Sequence, residues 1–174
     1  LVDSDSNQEI RAEVKQARSE WRQKLDLPQS SLVVTSLARL WPQKRLKDLI
    51  WAMDLLNCQH DHVHLVIAGD GPERGRLEQF AREAKVEDHV HFVGHLQQPS
   101  SLLQASDLVA LVSEYEGQSN AIMEAIRCRV PVLVSDIPGN RDLVPDESFG
   151  WLCQVGDRIG IAKKIQAVIH DSQS

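Results

Sequence analysis

The chain has little positive charge to spare. Against 25 Asp and Glu stand 19 Lys and Arg, a formal net charge of −6, and this balance offers no electrostatic footprint for nucleic acid. Cysteine is sparse: Cys58, Cys128 and Cys153 lie far apart and form no CxxC pair. That argues against a disulfide framework or a zinc ribbon and reads as reduced, buried thiols of a cytosolic protein. No apolar run approaches the length of a membrane span. The first nine residues carry Asp3, Asp5 and Glu9 and no apolar core, unlike a secretory signal. Internal repeats and low-complexity segments are absent. A metal-ligand cluster is missing too: His60, His62, His64, His89 and His91 have no acidic or Cys partner at a ligand spacing. Asp3-Ser4-Asp5 matches a DxD pattern but follows no strand, so it carries no metal assignment.

What is present is a globular composition, 42% hydrophobic and 25% charged over 174 residues. That length suits one domain burying roughly 70% of its unfolded surface. Residues 1–6 are polar and read as a disordered leader, leaving 7–174 as the domain. Short β-branched runs then alternate with segments of helical spacing. Strands are expected at Leu32 to Leu37, Val63 to Ala68, Val90 to Val93, Leu108 to Val112, Val130 to Val134 and Phe149 to Leu152. Helices are expected at about Asn7 to Leu25, Leu46 to Asn57, Gly75 to Lys85, Pro99 to Ala105 and Ala121 to Arg129, with a last one capped by Asp157. Alternation of this kind predicts an α/β fold: a single Rossmann-like three-layer α/β/α domain on a mainly parallel six-stranded sheet.

The chain is organised around Ser113 to Ser135. A buried strand gives way to a polar loop containing Gly117, then a helix, then the next strand after Pro131. Glu116 stands in the loop and Glu124 in the helix, seven residues between them. At the helix start, Gln118, Ser119 and Asn120 present unpaired backbone N–H groups and the positive end of the dipole, a natural seat for a phosphate. A carboxylate one turn further in accepts hydrogen bonds only, which suits a vicinal diol such as a ribose. A second polar loop follows the first strand: Arg39 and Lys44 flank Pro42 where ligands bind in open α/β sheets. Two cations there suit a diphosphate, Arg as a fork and Lys as a point charge.

Glu116-Gly117, Asn120-Ala121-Ile122-Met123-Glu124-Ala125 and Val130-Pro131-Val132 resemble the E-x7-E signature of the group 1 retaining glycosyltransferases of the GT-B fold. Ala38-Arg39-Leu40 to Lys44 resembles the family's GRLxxxKG element, although Arg45 stands where a glycine usually follows the Lys. Ala68-Gly69-Asp70-Gly71-Pro72 matches its AGDGP turn. Gly94-His95-Leu96 resembles its G-x-V/L turn, which brings His95 to the donor cleft. Asp136 to Val144 departs from the family's GGxxE turn, with Asn140 for the second glycine and Asp142 for the acid. The backbone turn survives if Asn140 adopts positive φ, while the shorter acid puts its usual contact in doubt.

The resemblance covers roughly residues 8 to 170 and implies the C-terminal, donor-binding half of a hexosyl-type glycosyltransferase. On it, Glu116 is the catalytic group near the donor sugar and Glu124 holds the ribose. Arg39, Lys44 and the amides from Gly117 to Asn120 bind the diphosphate. Transfer with retention is implied, without metal or cofactor. An N-terminal acceptor-binding domain of the same chain is the expected partner, and a chain starting at Leu1 fits a cut from something longer. Placement is expected in the cytoplasm or at the inner face of the membrane, any membrane contact being made through that other half. A nucleotide-sugar epimerase half and a non-catalytic nucleotide-binding module are the alternatives.

Overall fold

The structure, a computed structural model, describes residues 4–117 and 119–172. Six strands are seen among them: β1 (Leu32–Leu37), β2 (Val63–Ala68), β3 (Val90–Gly94), β4 (Leu108–Leu111), β5 (Val132–Ser135) and β6 (Gly150–Cys153). Seven α-helices accompany them: α1 (Ser4–Lys24), α2 (Leu46–Asn57), α3 (Arg74–Glu83), α4 (Ser100–Ala105), α5 (Asn120–Arg127), α6 (Pro138–Arg141) and α7 (Arg158–Ser172). Short 3-10 turns at Pro42–Lys44 and Glu87–His89 complete the regular structure. The sheet runs β3-β2-β1-β4-β5-β6 and every pairing in it is parallel. Strand order reverses between β1 and β4, which opens a crevice above their carboxyl ends.

Strands of a parallel sheet are covered on both faces, so they read as continuous apolar runs. Their side chains nevertheless alternate between two layers. Val34, Leu65, Ile67, Ala110 and Leu133 pack with α2, α3 and α7. On the opposite face, Val33, Val66 and Ala68 pack with Trp21 of α1 and Leu102 of α4. Val109, Leu111, Val132 and Val134 pack there with Ile122 and Ala125 of α5.

The amino edge of the sheet is closed by a buried cation. Arg22 of α1 donates to Ser31 O at 2.7 Å, Ala105 O at 3.0 Å and Asp107 Oδ2 at 3.1 Å. Arg18 donates to Asp107 Oδ1 at 2.6 Å, and Val33 N–H to Asp107 Oδ2 at 2.8 Å. A buried guanidinium is tolerable only when its donors are met in this way. Nearby, the ring nitrogens His91 Nε2 and His64 Nδ1 lie 3.2 Å apart and His89 stacks on His64 at 5.0 Å. Burial, reinforced by the neighbouring His91 and His89, pushes His64 down to about 4 and holds it neutral.

Several boundaries differ from the sequence reading. The first helix begins at Ser4, so residues 4–6 belong to it, while Leu1 to Asp3 lie outside the described residues. α5 stops at Arg127 and β5 begins only at Val132, because Arg129 takes a left-handed φ of 57° and Val130 N–H folds back to Ala125 O. Asn140 does not adopt positive φ; it sits in the one-turn α6, which Pro138 starts. Asp157 caps α7 as expected, accepting from Gly160 N–H at 2.8 Å. The thiols are not uniformly buried: Cys58 is exposed and Cys128 half-buried, and Cys153 alone of the three is enclosed. Cys153 lies against Val134 O, and burial pushes its thiol up to about 12.

Candidate functional site

A cleft of about 660 Å³ lies over the carboxyl ends of β1, β2 and β3, at the point where strand order reverses. Arg39, Lys44 and His95 line it from the loops after β1 and β3. Glu116, Ser119, Asn120 and Glu124 line it from the loop after β4 and from α5. Residues up to 85 apart in sequence thus converge, counting from Arg39 to Glu124. Gly117 is exposed and is not among the lining residues. Gln118 lies outside the described residues. Asp142 is exposed and lies away from the cleft, among the residues of an apolar groove beside α5.

The loops are held together by backbone contacts that glycine permits. Gly69 has a φ of 142°, and a Cβ there would stand 1.9 Å from Ala38 O. Only glycine lets the turn after β2 press against the loop after β1 in this manner. Leu40 N–H donates to Asp70 O and Glu73 N–H to Leu40 O, locking the two loops. The loop after β4 is tied in by Glu114 N–H donating to Gln43 O at 2.8 Å. Arg45, which replaces the expected glycine, adopts the left-handed φ of 51° that a glycine would take. Its side chain bonds Asp48 at 2.7 Å, and Arg158 holds the other oxygen of Asp48 at 2.6 Å. Asp48 is buried, so these two cations satisfy it and anchor the start of α2 just behind Lys44.

The charges in the cleft divide into paired and unpaired. Lys44 Nζ is ion-paired with Glu116 Oε1, both largely enclosed, at 16% and 13% side-chain exposure. Ser113 Oγ donates to the same Oε1 at 2.7 Å. Sequence reasoning assigned Lys44 and Glu116 to different groups of one ligand and did not pair them. It missed Ser113 as well; the available signal was its place three residues before Glu116 at the end of a buried strand. Arg39 and Glu124 make no ion pair among the described residues. Arg39 is exposed and Glu124 half-buried. The charge of Glu124 is felt nearby: burial first, then Glu124, raises the Cys128 thiol. Ser119 is the N-cap of α5 and makes no side-chain capping bond, so the first amides of the helix are not capped by it. Among the described residues the cleft therefore combines a guanidinium without an ion pair, an ammonium paired with a carboxylate, a helix start that Ser119 does not cap and a second carboxylate, the donors and acceptors that a phosphorylated polyol needs.

His95 is exposed at the rim, while Leu37, Ala38, Ala68, Leu96 and Pro99 supply an apolar wall. Among the described residues no group of three or more His, Cys, Asp and Glu is placed to hold a metal, and no helix is long and apolar enough to cross a membrane.

The fold is that of GT-B glycosyltransferase C-terminal domains. Anabaena HepE, solved in complex with UDP, superposes with a TM-score of 0.83 at 29% identity, over 91% of this chain and 44% of that one. Another structure of HepE holds UDP and glucose. The N-acetyl-alpha-D-glucosaminyl L-malate synthase of Bacillus anthracis is 27% identical over 159 residues, 91% of this chain and 42% of that protein. A UDP-Gal:alpha-D-GlcNAc-diphosphoundecaprenol alpha-1,3-galactosyltransferase of Escherichia coli is 34% identical over 137 residues, 76% of this chain and 35% of that protein. The chain thus spans less than half the length of these relatives. The sequence profile of the group 1 glycosyl transferases matches residues 17–174, and the chain belongs to that family.

Proposed function

We propose that this domain binds the nucleotide-diphosphate-sugar donor of a hexosyl-type glycosyltransferase that works with retention. The observation that carries the reading is the convergence of Arg39, Lys44, Glu116 and Glu124 on one cleft at the strand-order reversal. The diphosphate sits between Arg39, Lys44 and the first amides of α5, where cations and the helix dipole stabilise the charge that develops on the leaving group. Glu124 accepts from the ribose hydroxyls. Glu116 faces the sugar, orienting it or stabilising positive charge at its anomeric carbon. No divalent metal is required, because Arg39 and Lys44 supply the positive charge.

Sugar transfer needs an acceptor site, and the domain spans less than half the length of its transferase relatives. On its own it binds nucleoside diphosphate and transfers almost nothing. The test is calorimetric titration of this chain with UDP in EDTA and again with magnesium. Thermal shifts with UDP-, GDP- and ADP-sugars then identify the donor. Binding in EDTA, and stabilisation by one class of nucleotide sugar above the others, is expected. Binding abolished by EDTA and restored by magnesium would refute the site as assigned. Efficient sugar transfer by this chain alone would refute the division of labour.

A further inference from the structure

Beneath Glu116 runs a column of buried hydroxyl and amide groups that donor binding does not use. Ser113 Oγ donates to Glu116 Oε1 at 2.7 Å, and Ser113 is 1% exposed. Ser135 Oγ donates in turn to Ser113 O at 2.5 Å, and Asn140 Nδ2 to Ser135 O at 2.9 Å. Ser135 and Asn140 are wholly enclosed. The backbone of Glu116 is backed from the same side, since a Cβ on Gly139 would come within 3.1 Å of Glu116 O. The column thus runs from the start of α6, across the end of β5, to one oxygen of one carboxylate.

That oxygen has two partners of different kinds. The Lys44 ammonium is on a flexible stem and lies beside the proposed diphosphate site. The Ser113 hydroxyl is on a short, buried side chain whose own backbone carbonyl is held from below by Ser135 Oγ. If the donor diphosphate draws Lys44 away, Glu116 loses its cation just as the sugar arrives. A carboxylate freed from its one charged partner among the described residues has several rotamers open to it. The serine hydroxyl remains and holds Oε1 in one place.

Resting on the transferase reading above, we infer that Ser113 is a positioning residue: it keeps the Glu116 carboxylate aimed at the sugar while Lys44 passes from Glu116 to the diphosphate. Ser135 acts one step further back by fixing Ser113.

The experiment measures kcat and donor KM in the full-length protein, and UDP affinity by calorimetry, for wild type, Ser113→Ala, Ser113→Thr and Ser135→Ala. Losing a hydrogen bond to a charged group predicts a fall in kcat of roughly ten-fold or more for Ser113→Ala. Donor KM and UDP affinity should stay within about two-fold, because nothing that touches the nucleotide has changed. Ser113→Thr retains the hydroxyl and should recover most of kcat. Ser135→Ala should lower kcat less than Ser113→Ala. Should Ser113→Ala fail to fold by circular dichroism, Ser113→Cys, close in size and a weaker donor, takes its place with the same split expected.

Unchanged kcat in Ser113→Ala, with the wild type active, overturns the inference and leaves the transferase reading standing. So does a loss of UDP affinity matching the loss of kcat, which is the mark of general distortion. So does a folded Ser113→Thr as slow as Ser113→Ala. A wild type that neither binds UDP nor turns over any nucleotide sugar fails at the first measurement, and there the transferase reading falls and this inference with it.

Discussion

At the amino edge of the sheet, Arg22 is 1% exposed and all five of its N–H donors are taken, by Ser31 O, Arg18 O, Ala105 O and Asp107. At the carboxyl edge, Arg39 is exposed to the cleft and has no ion-pair partner among the described residues, and Glu124 is half-buried in the same condition. The same residue types serve opposite ends. Where the protein has supplied every partner, the charge is part of the architecture, joining α1 to the strand starts. Where partners are missing among the described residues, in a concave place, the charge is open to the proposed donor. Lys44 lies between these cases, paired with Glu116 yet on a stem that can turn.

The contrast breaks most visibly if the amino-edge cluster is opened. Arg22→Ala leaves Asp107 with Arg18 and the Val33 N–H and frees the carbonyls of Ser31 and Ala105. Removing one partner of a buried pair costs about 3–5 kcal/mol, so the urea midpoint should fall sharply while UDP affinity of the folded fraction holds. A small stability change with a large affinity change would reverse the assignment of the two edges.

The amino edge also carries an expected sensitivity to acid. Burial pushes His64 down to about 4 in the native state, against the ordinary histidine value of 6.5. A histidine held below its unfolded value adds stability in full above pH 6.5. That contribution is lost as pH falls from 6.5 toward 4, because the unfolded chain takes up the proton first. Burial is the first cause, and His91 and His89 add to it. The loss is at most about 3 kcal/mol. Chemical denaturation from pH 7 to 4 should show it, and His64→Leu should flatten the slope between 6.5 and 4.5. An unchanged slope in that variant would place the acid sensitivity elsewhere.

At the carboxyl edge the expected effects are on binding rather than folding. Glu124→Ala removes the acceptors proposed for the ribose and should cost about 1.5–3 kcal/mol of UDP affinity, roughly 10- to 150-fold. Thermal stability without ligand should be little altered, since Glu124 has no ion-pair partner among the described residues to lose. Calorimetry with UDP on the isolated chain decides it, and equal affinity for both proteins would make Glu124 a solvated helix residue.

Much of this was legible from residue order. The parallel sheet followed from short apolar runs such as Leu108 to Leu111, which are buried on both faces and leave no polar face to confuse the period. The cleft followed from Arg39, Lys44, Glu116 and Glu124, each placed at a strand-to-helix turn and so on the same edge. What escaped were interactions set by third-dimensional reach. The Lys44–Glu116 pair joins residues 72 apart, and Arg158 meets Asp48 across 110. Neither distance appears in any local spacing. Asn140 was read as a turn residue because the family has glycine there; its buried amide instead reaches Ser135 O, a use for a side chain that glycine lacks. Ser113 has no local signal beyond its place before Glu116, and its role depends on the carboxylate that the loop folds back over it.

The smallest expected effect is the sharpest test of how the two carboxylates differ. Glu116 is assigned to the sugar, so bare UDP should not need it. The ion pair adds a direction: in the free protein Lys44 is held by Glu116, and a diphosphate must compete for it. Glu116→Ala releases Lys44 to the phosphates at no exchange cost. The pair is largely enclosed but borders an open cleft; taking the about 0–1 kcal/mol of a solvent-accessible pair, UDP should bind at the wild-type level or up to about five-fold more tightly. Added salt should shrink the gain, because it weakens the pair in the wild type as well. Turnover in the full-length protein should fall all the same, since the sugar has lost its carboxylate. Glu116→Gln still accepts from Ser113 but offers Lys44 no charge, so its UDP affinity should match Glu116→Ala. If Glu116→Ala instead loses as much UDP affinity as Glu124→Ala, Glu116 contacts the nucleotide itself and the division of roles between the two glutamates is wrong.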